Sequence, residues 1–408
     1  MHMSDPMQHG MAEATRLTRE GRLAEATALI QRTLGGHTPQ AGSGGGDPAT
    51  IVDEAPSLKQ ASPEAPPRPE SNGPTLRRPP RPYRSPDRHR FAPRPPASTP
   101  GVENTPGSGP TDAPGGRFTS HSYTCRSGTR SYKLYVPGGY NGQPVPLVVM
   151  LHGCTQDPDD FAAGTRLNAL AEEHTFLVAY PAQSQNANMS KCWNWFDETD
   201  QQRGRGEPEI IAGITREVCE EYGVAGGRVY VAGMSAGGAM AAIVGAAYPD
   251  LYAAVGVHSG LAPGAARDLP SALSAMQRGG SGSTSRKTSL RKTPLIVFHG
   301  DRDTTVHPTN ADHLLAHYGS TPGPETNPTA TARRGQVPGG HAYTHQTRHD
   351  AEGRTVMERW TVHGLGHAWS GGSGSGSYTD PKGPDATAEM VRFFGQHRRT
   401  EPADRPAE

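Results

Sequence analysis

The sequence predicts an α/β fold with a mainly parallel, doubly wound sheet, preceded by a short helical segment and a disordered Pro-rich linker. Three observations carry that expectation. From residue 117 onward, short apolar runs alternate with segments of helical spacing. The runs are apolar on both faces, as strands covered by helices on two sides must be. The stretch Val229-Tyr-Val-Ala-Gly-Met-Ser-Ala-Gly-Gly-Ala239 then passes from a β-branched run through Gly233-Met-Ser-Ala-Gly237 into small, helix-compatible residues: strand, tight turn, helix.

Composition sets the limits. With 408 residues the chain can hold two or more domains, but 33% hydrophobic residues, 51 Gly and 39 Pro leave part of that length unable to bury a core. Lys plus Arg and Asp plus Glu are both 40, so no global field steers the protein toward nucleic acid or an acidic surface. No apolar run approaches the roughly 20 residues of a membrane span. The opening residues 1–20 are polar and mixed in charge, without the apolar centre of a signal peptide. Four cysteines leave room for one bridge but not for a disulfide scaffold.

Residues 1–36 form the first unit. Within it, residues 11–34 read as two short helices broken at Gly21, with Leu17, Leu23, Leu29, Ile30 and Leu34 as apolar positions. The segment resembles a single tetratricopeptide-type hairpin, which has no neighbour to cover its apolar face and is marginal alone. It is either a leader or a docking element. Residues 37–116 are a linker rich in Pro, Gly and Arg, which cannot offset its chain entropy by burial and is expected to be disordered. Its arginines Arg77, Arg78, Arg81, Arg84, Arg88, Arg90 and Arg94, around Tyr83 and Phe91, make a basic stretch. A solvated linker is favoured over a polyanion site there.

The globular domain is expected at 117–398, with a disordered tail at 399–408. Residues 131–136 alternate like an edge strand and end at Pro137-Gly-Gly139; residues 146–151 are a buried strand followed by His152-Gly-Cys-Thr155. Helical spacing over 160–174 precedes a strand at 176–180, and a capped amphipathic helix over 207–222 leads into the Val229 strand. Strands follow at 253–258, 294–299 and 356–362, then a closing helix at 386–397. Residues 279–292, 320–341 and 371–384 read as long polar loops at the sheet's rim.

Chemistry centres on Ser235. Flanking glycines let strand and helix approach, so the serine can hold a strained backbone and project its hydroxyl beyond the sheet edge. A serine needs a base, and the base an orienting acid, expected in the chain order Ser, acid, His after later strands. Asp303, in His299-Gly-Asp-Arg-Asp303, is the expected acid, with Asp301 as rival. His367, in Gly364-Leu-Gly-His-Ala-Trp369, is the expected base, with His363 the weaker candidate. The amide of Ala236, and a second amide at Cys154, are expected to form the oxyanion hole. Trp193, Trp195 and Trp369 are candidate substrate-binding residues, with ordinary packing the alternative for the Trp193, Trp195 and Phe196 cluster. Cys154 is open to a role as nucleophile, which the serine makes unnecessary, or to a bridge. Cys219 reads as buried filler, and Cys125 stays ambiguous. His341, His345 and His349 have spacing faintly suggestive of a metal site, but lack nearby Cys or acidic ligands, so no metal and no cofactor is expected.

Five ordered motifs, Leu151-His-Gly-Cys-Thr-Gln156, Cys192-Trp-Asn-Trp-Phe196, Gly233-Met-Ser-Ala-Gly-Gly238, His299-Gly-Asp-Arg-Asp303 and Gly366-His-Ala-Trp-Ser-Gly371, together resemble the polyhydroxybutyrate depolymerase family of serine esterases, related to feruloyl and acetylxylan esterases. The resemblance runs over residues 132–397. It implies an α/β-hydrolase fold, a Ser235, Asp303, His367 triad, an oxyanion hole at Cys154 and Ala236, and a Cys154 to Cys192 disulfide. The implied activity is cleavage of short hydroxyalkanoate or similar small esters, with a feruloyl or acetylxylan type as alternative. A peptidase on the same fold, and an inactive hydrolase-fold binding protein docked through residues 1–36, are the rivals. Secreted polymer-degrading members carry a signal peptide and a polymer-binding module, and neither is visible here. Soluble oligomers or small esters are therefore expected over crystalline polymer, and extracellular and cytoplasmic locations both stay open.

Overall fold

The computed structural model of the chain describes residues 115–280, 293–319 and 330–399. The expected N-terminal hairpin, nearly all of the expected linker and tail, and parts of two predicted loops lie outside the described residues. Chain order is β1 (Arg117–Cys125), β2 (Gly128–Val136), β3 (Leu147–Leu151), α1 (Pro158–Thr165), α2 (Leu167–His174), β4 (Leu177–Pro181), a 3-10 turn (Glu198–Gln201), α3 (Gly206–Glu221), β5 (Val229–Met234), α4 (Ala236–Ala247), β6 (Ala254–His258), α5 (Leu269–Arg278), β7 (Leu295–Gly300), α6 (Thr309–Gly319), β8 (Ala330–Gln336), β9 (Ala342–His349), β10 (Thr355–Val362), the short β11 (Trp369–Ser370) and β12 (Thr379–Asp380), and α7 (Ala386–Gly395).

One ten-stranded sheet runs β1-β2-β4-β3-β5-β6-β7-β10-β9-β8. Its central members from β4 to β10 are parallel. The β1-β2 hairpin joins antiparallel at one side and the β9-β8 hairpin at the other. Strands β3, β4, β5, β6 and β7 are buried along their whole length, which is why they read as unbroken apolar runs. Two apolar clusters cover the two faces, one including α3 and α4 side chains, the other including those of α1, α2 and α7.

Several elements differ from expectation. The helix predicted over 160–174 is two, because Arg166 takes a left-handed conformation (φ 57°) between α1 and α2 and anchors to Gly371 O and Asp385. The predicted loop 320–341 contains β8, and His345 and His349 lie on β9. Strand β1, not expected, makes the 131–136 strand second from the edge. Helix α3 starts at Gly206 without a cap from its own preceding residue; Asp200 instead accepts the Glu207 N–H at 2.6 Å.

Candidate active site

The turn from β5 to α4 puts Ser235 at φ 56°, ψ −121°, a region that a non-glycine residue occupies only under constraint. The constraint is close packing. A Cβ on Gly237 would fall on the carbonyl oxygens of Leu151 and His152, and one on Gly233 would fall on the Gly237 backbone. Only two glycines let α4 ride this close over β3 and β5. The Ser235 amide is tied down in turn, donating to His258 O at 2.9 Å.

The loops after β7 and β10 meet beside this turn. Asp303 is buried, with Oδ1 accepting the amides of Thr305 (2.9 Å) and Val306 (2.8 Å) and Oδ2 accepting from His367 Nδ1 at 2.7 Å. His299 Nε2 donates to Val306 O at 2.8 Å and stands 3.5 Å from Asp303 Oδ2. Burial alone would raise the Asp303 carboxyl; the charge of His367 and hydrogen bonds from His299 and His367 outweigh it and hold Asp303 well below the usual carboxylate range. With a carboxylate on Nδ1, the His367 proton sits there and Nε2 keeps a bare lone pair. The rival residues pair with each other: His363 Nδ1 meets Asp301 Oδ2 at 2.8 Å in a half-exposed contact, and Gly364 N–H closes on Asp301 Oδ1 at 2.7 Å.

The turn after β3 completes the rim. A Cβ at Gly153 would lie 3.5 Å from Ser235 Cβ, so this turn packs directly on the serine. The Gly153 amide donates to Gln156 Oε1 at 2.9 Å and the Thr155 amide to Ser190 O at 2.6 Å, so neither contact engages the Cys154 amide between them. His152 Nε2 accepts the Gln183 amide at 3.1 Å, which fixes its proton on Nδ1 for donation to Gly153 O at 2.8 Å. Burial lowers the His152 pKa to about 4.

A disulfide joins Cys154 to Cys192, while Cys125 and Cys219 are free thiols. The segment after Cys192 is held by Glu207, the buried acid in the first turn of α3. Its Oε2 accepts the Asn194 amide at 2.8 Å and its Oε1 accepts Asn194 Nδ2 at 3.0 Å. Gln183 Nε2 donates to Glu207 and, at 2.9 Å, to Cys192 O. Arg130 reaches Glu207 at 3.3 Å. Burial, helped by the Asp200 charge, raises Glu207 to about 7 against these donors. In the sequence Glu207 looks like an ordinary helix-start acid.

Ser235 and His367 line one cavity of about 160 Å³, with Cys154 and Ala236 on its wall. It opens along the carboxyl ends of the parallel strands. Trp195 and Phe196, edge to face at 5.8 Å, form part of the lining. The expectation for the other two tryptophans is corrected. Trp193 is fully buried with its indole N–H on His152 O at 3.1 Å, and Trp369 is packed on Phe161 and His258 with its indole N–H on Thr387 Oγ1 at 2.9 Å; neither lines the cavity. Missed instead was α5, whose Leu269, Ala272, Leu273 and Met276 supply an apolar wall. Their i, i+3, i+4, i+7 spacing, behind a capping box of Asp268 and Ser271, was available in the sequence. His341 meets Asp380 at 2.9 Å and His345 meets Glu358 at 2.9 Å, so these histidines are engaged separately.

Comparison with known proteins gives a consistent picture. The family model described as Esterase PHB depolymerase matches residues 130–337. Poly(3-hydroxyalkanoate) depolymerase C of Paucimonas lemoignei is 30% identical over 253 residues, covering 60% of this chain and 59% of that protein. The chain thus spans about three fifths of that relative's length. Feruloyl esterase B of Thermothelomyces thermophilus is 27% identical over 208 residues, covering 47% of this chain and 70% of its own. Among solved structures, acetyl xylan esterase from Aspergillus awamori aligns with TM-score 0.50 and 19% identity, covering 68% of this chain and 99% of that one. At that identity the likeness speaks for the fold, which is the α/β-hydrolase fold.

Proposed function

The chain belongs to the Esterase PHB depolymerase family, and on that premise we propose that it is a serine carboxylic-ester hydrolase working through Ser235, His367 and Asp303. The observation that carries the reading is the 2.7 Å hydrogen bond from His367 Nδ1 to the buried Asp303, with His367 and Ser235 on one cavity. Ser235 Oγ attacks the ester carbonyl while His367 Nε2 takes its proton. Asp303 keeps the imidazole in the required tautomer and balances its charge. The amides of Cys154 and Ala236 receive the tetrahedral oxyanion, the Ala236 amide opening α4 where the helix dipole favours negative charge. His367 then gives its proton to the leaving alcohol. A water activated by the same nitrogen attacks the acyl-enzyme, releases the acid and restores Ser235.

For the substrate we favour short neutral acyl esters of the hydroxyalkanoate kind. Among the described residues, no aspartate, glutamate, lysine or arginine lines the cavity, so a charged acyl group would enter without a partner there. A feruloyl-type ester is the second reading, favoured by the Trp195 and Phe196 rings on the cavity wall. The disulfide beside the serine fits an oxidising compartment and so an extracellular site of action. Among the described residues no helix is long and apolar enough to cross a membrane.

Replacing Ser235 with alanine tests the assignment. Turnover of p-nitrophenyl butyrate should fall by roughly 10⁴-fold or more with the fold intact, and undiminished hydrolysis would show the nucleophile to be elsewhere. Hydroxybutyrate oligomers, feruloyl esters and acetylated sugars assayed side by side then separate the substrate classes.

A further inference from the structure

One buried residue touches both the nucleophile's backbone and the loop that carries the base. His258 ends β6 and is wholly buried. Its carbonyl oxygen accepts the Ser235 amide at 2.9 Å. On its ring, Nε2 accepts the amide of Ser370, three residues beyond His367, at 3.0 Å. An amide N–H requires a bare lone pair, so the neutral ring carries its proton on Nδ1 and donates it to Ser259 Oγ at 3.1 Å. The imidazole also stacks between Trp369, with centroids 5.0 Å apart and planes at 26°, and Phe298, at 5.9 Å and 15°. Trp369 is fixed further by its amide on Tyr378 O at 2.6 Å. The residues after His367 are therefore held to β6 by one hydrogen bond and one stack on the same imidazole.

Resting on the reading of Ser235 as nucleophile and His367 as base, we infer that His258 is a positioning residue of this hydrolase, its Nε2 lone pair holding the base loop in register with the nucleophile. It touches neither substrate nor the reacting atoms. The argument turns on connectivity: Ser235 and His367 are on separate loops, and His258 joins their backbones through its own carbonyl and ring. Were Nε2 protonated, it would oppose the Ser370 N–H donor to donor and push the loop outward. Burial, with His299 and His367 adding to it, lowers the ring's pKa to about 3. The acceptor therefore survives while His367 gains and loses its proton.

The alternative is that the ring only fills space under the sheet, and three substitutions separate the two. His258→Phe keeps ring volume and stacking but offers no lone pair to Ser370. Gln places Oε1 near the Nε2 position, whereas Asn places Oδ1 near Nδ1. With p-nitrophenyl butyrate as probe, His258→Gln should hold kcat within about 3-fold of wild type. His258→Phe and His258→Asn should lose roughly 10- to 100-fold in kcat with KM little changed, the cost of misplacing a reacting group by about 1 Å. Wild-type kcat in His258→Phe, or equal damage in the Gln and Asn variants, overturns the inference. If the Phe variant does not fold, the Gln and Asn pair decides. ¹⁵N spectra of the wild-type histidines give an independent check: His258 should show a protonated Nδ1 and a bare Nε2 from pH 6 to 8, and a proton on Nε2 overturns the inference. Ser235→Ala runs alongside. If it stays active, the esterase assignment fails and takes this inference with it; if it is inactive while His258→Phe is fully active, only the positioning role fails.

Discussion

Adding one methyl group at Gly237 tests how tightly the serine's turn depends on its neighbours. An alanine Cβ there would fall on the carbonyl oxygens of Leu151 and His152 and 2.5 Å from Leu151 C. Carbon contacts normally stand at about 3.5 Å, so α4 and the end of β3 must part by about 1 Å. The obstacles are backbone atoms of a central strand, with no flexible side chain to give way, and overpacking of that sort costs about 1–3 kcal/mol. For about 2 kcal/mol in a domain of this size the melting temperature falls by about 3–4 °C. The displacement also reaches the chemistry, because Leu151 and His152 lead straight into Gly153, which lies against Ser235. Moving the Cys154 amide by about 1 Å from its proposed oxyanion position should cost about 100-fold in kcat. The assay is p-nitrophenyl butyrate hydrolysis with thermal melts on Gly237→Ala, alongside Gly395→Ala, where an added Cβ meets open space. Gly395→Ala should keep full activity. A Gly237→Ala protein with wild-type kcat and melting temperature would refute the close-packing account of the elbow.

Three further outcomes are expected. Asp303→Asn should lower kcat by about 10⁴-fold, because its oxygen stays on the Thr305 and Val306 amides and its NH2 then faces His367 Nδ1 and forces the wrong tautomer, whereas Asp301→Asn, whose partner His363 is half exposed, should change it by less than about 3-fold; a larger loss in Asp301→Asn than in Asp303→Asn would reverse the choice of acid. Reducing the Cys154 to Cys192 bridge, which spans 38 residues, should cost about 4 kcal/mol in urea unfolding by chain entropy and should lower kcat by loosening the Cys154 turn; unchanged midpoint and turnover under dithiothreitol would contradict this. Glu207 is raised by burial from its ordinary 4.5 to about 7, so it binds its proton more tightly folded than unfolded. Its stabilising contribution is full below about pH 4.5 and is lost as pH rises to about 7, by about 3 kcal/mol. Urea midpoints from pH 4 to 8 should therefore converge or cross between wild type and Glu207→Gln, and a constant difference across that range would rule the titration out.

Much of the fold was legible because buried parallel strands announce themselves. Leu147–Leu151, Val229–Met234 and Leu295–Gly300 are apolar on both faces, and each ends at a turn of glycine and polar residues. The strands that escaped notice have little apolar pattern. β8 (ATARRGQ) and β9 (AYTHQTRH) lie at one edge, and β1 (RFTSHSYTC) lies at the other with its side chains exposed or half buried. Their backbone ladders form because a neighbouring strand is present to pair with, a condition that no local window contains. The break between α1 and α2 was hidden for a related reason. Arg166 adopts φ 57° without a glycine to mark it, its side chain meanwhile reaching residues 371 and 385, far along the chain.

The sequence by itself determined where the candidate reactive groups fall along the chain. Strand ends place Ser235, Asp303 and His367 on turns, and glycines at 233 and 237 are required wherever a strand and helix approach to backbone contact. Tertiary structure decided the pairings. Two acids and two histidines sit within a few residues of one another, yet Asp303 closes on His367, 64 residues away, and Asp301 on His363. It also decided that Trp195 faces the cavity while Trp193 is buried behind it. Both tryptophans ride on an irregular segment whose path is set by the Cys154 bridge and by Glu207, so their directions follow from distant anchors instead of any periodicity in the segment itself. Side-chain chemistry is a local property of the chain, whereas the meeting of two side chains across a sheet edge is a property of the packed whole.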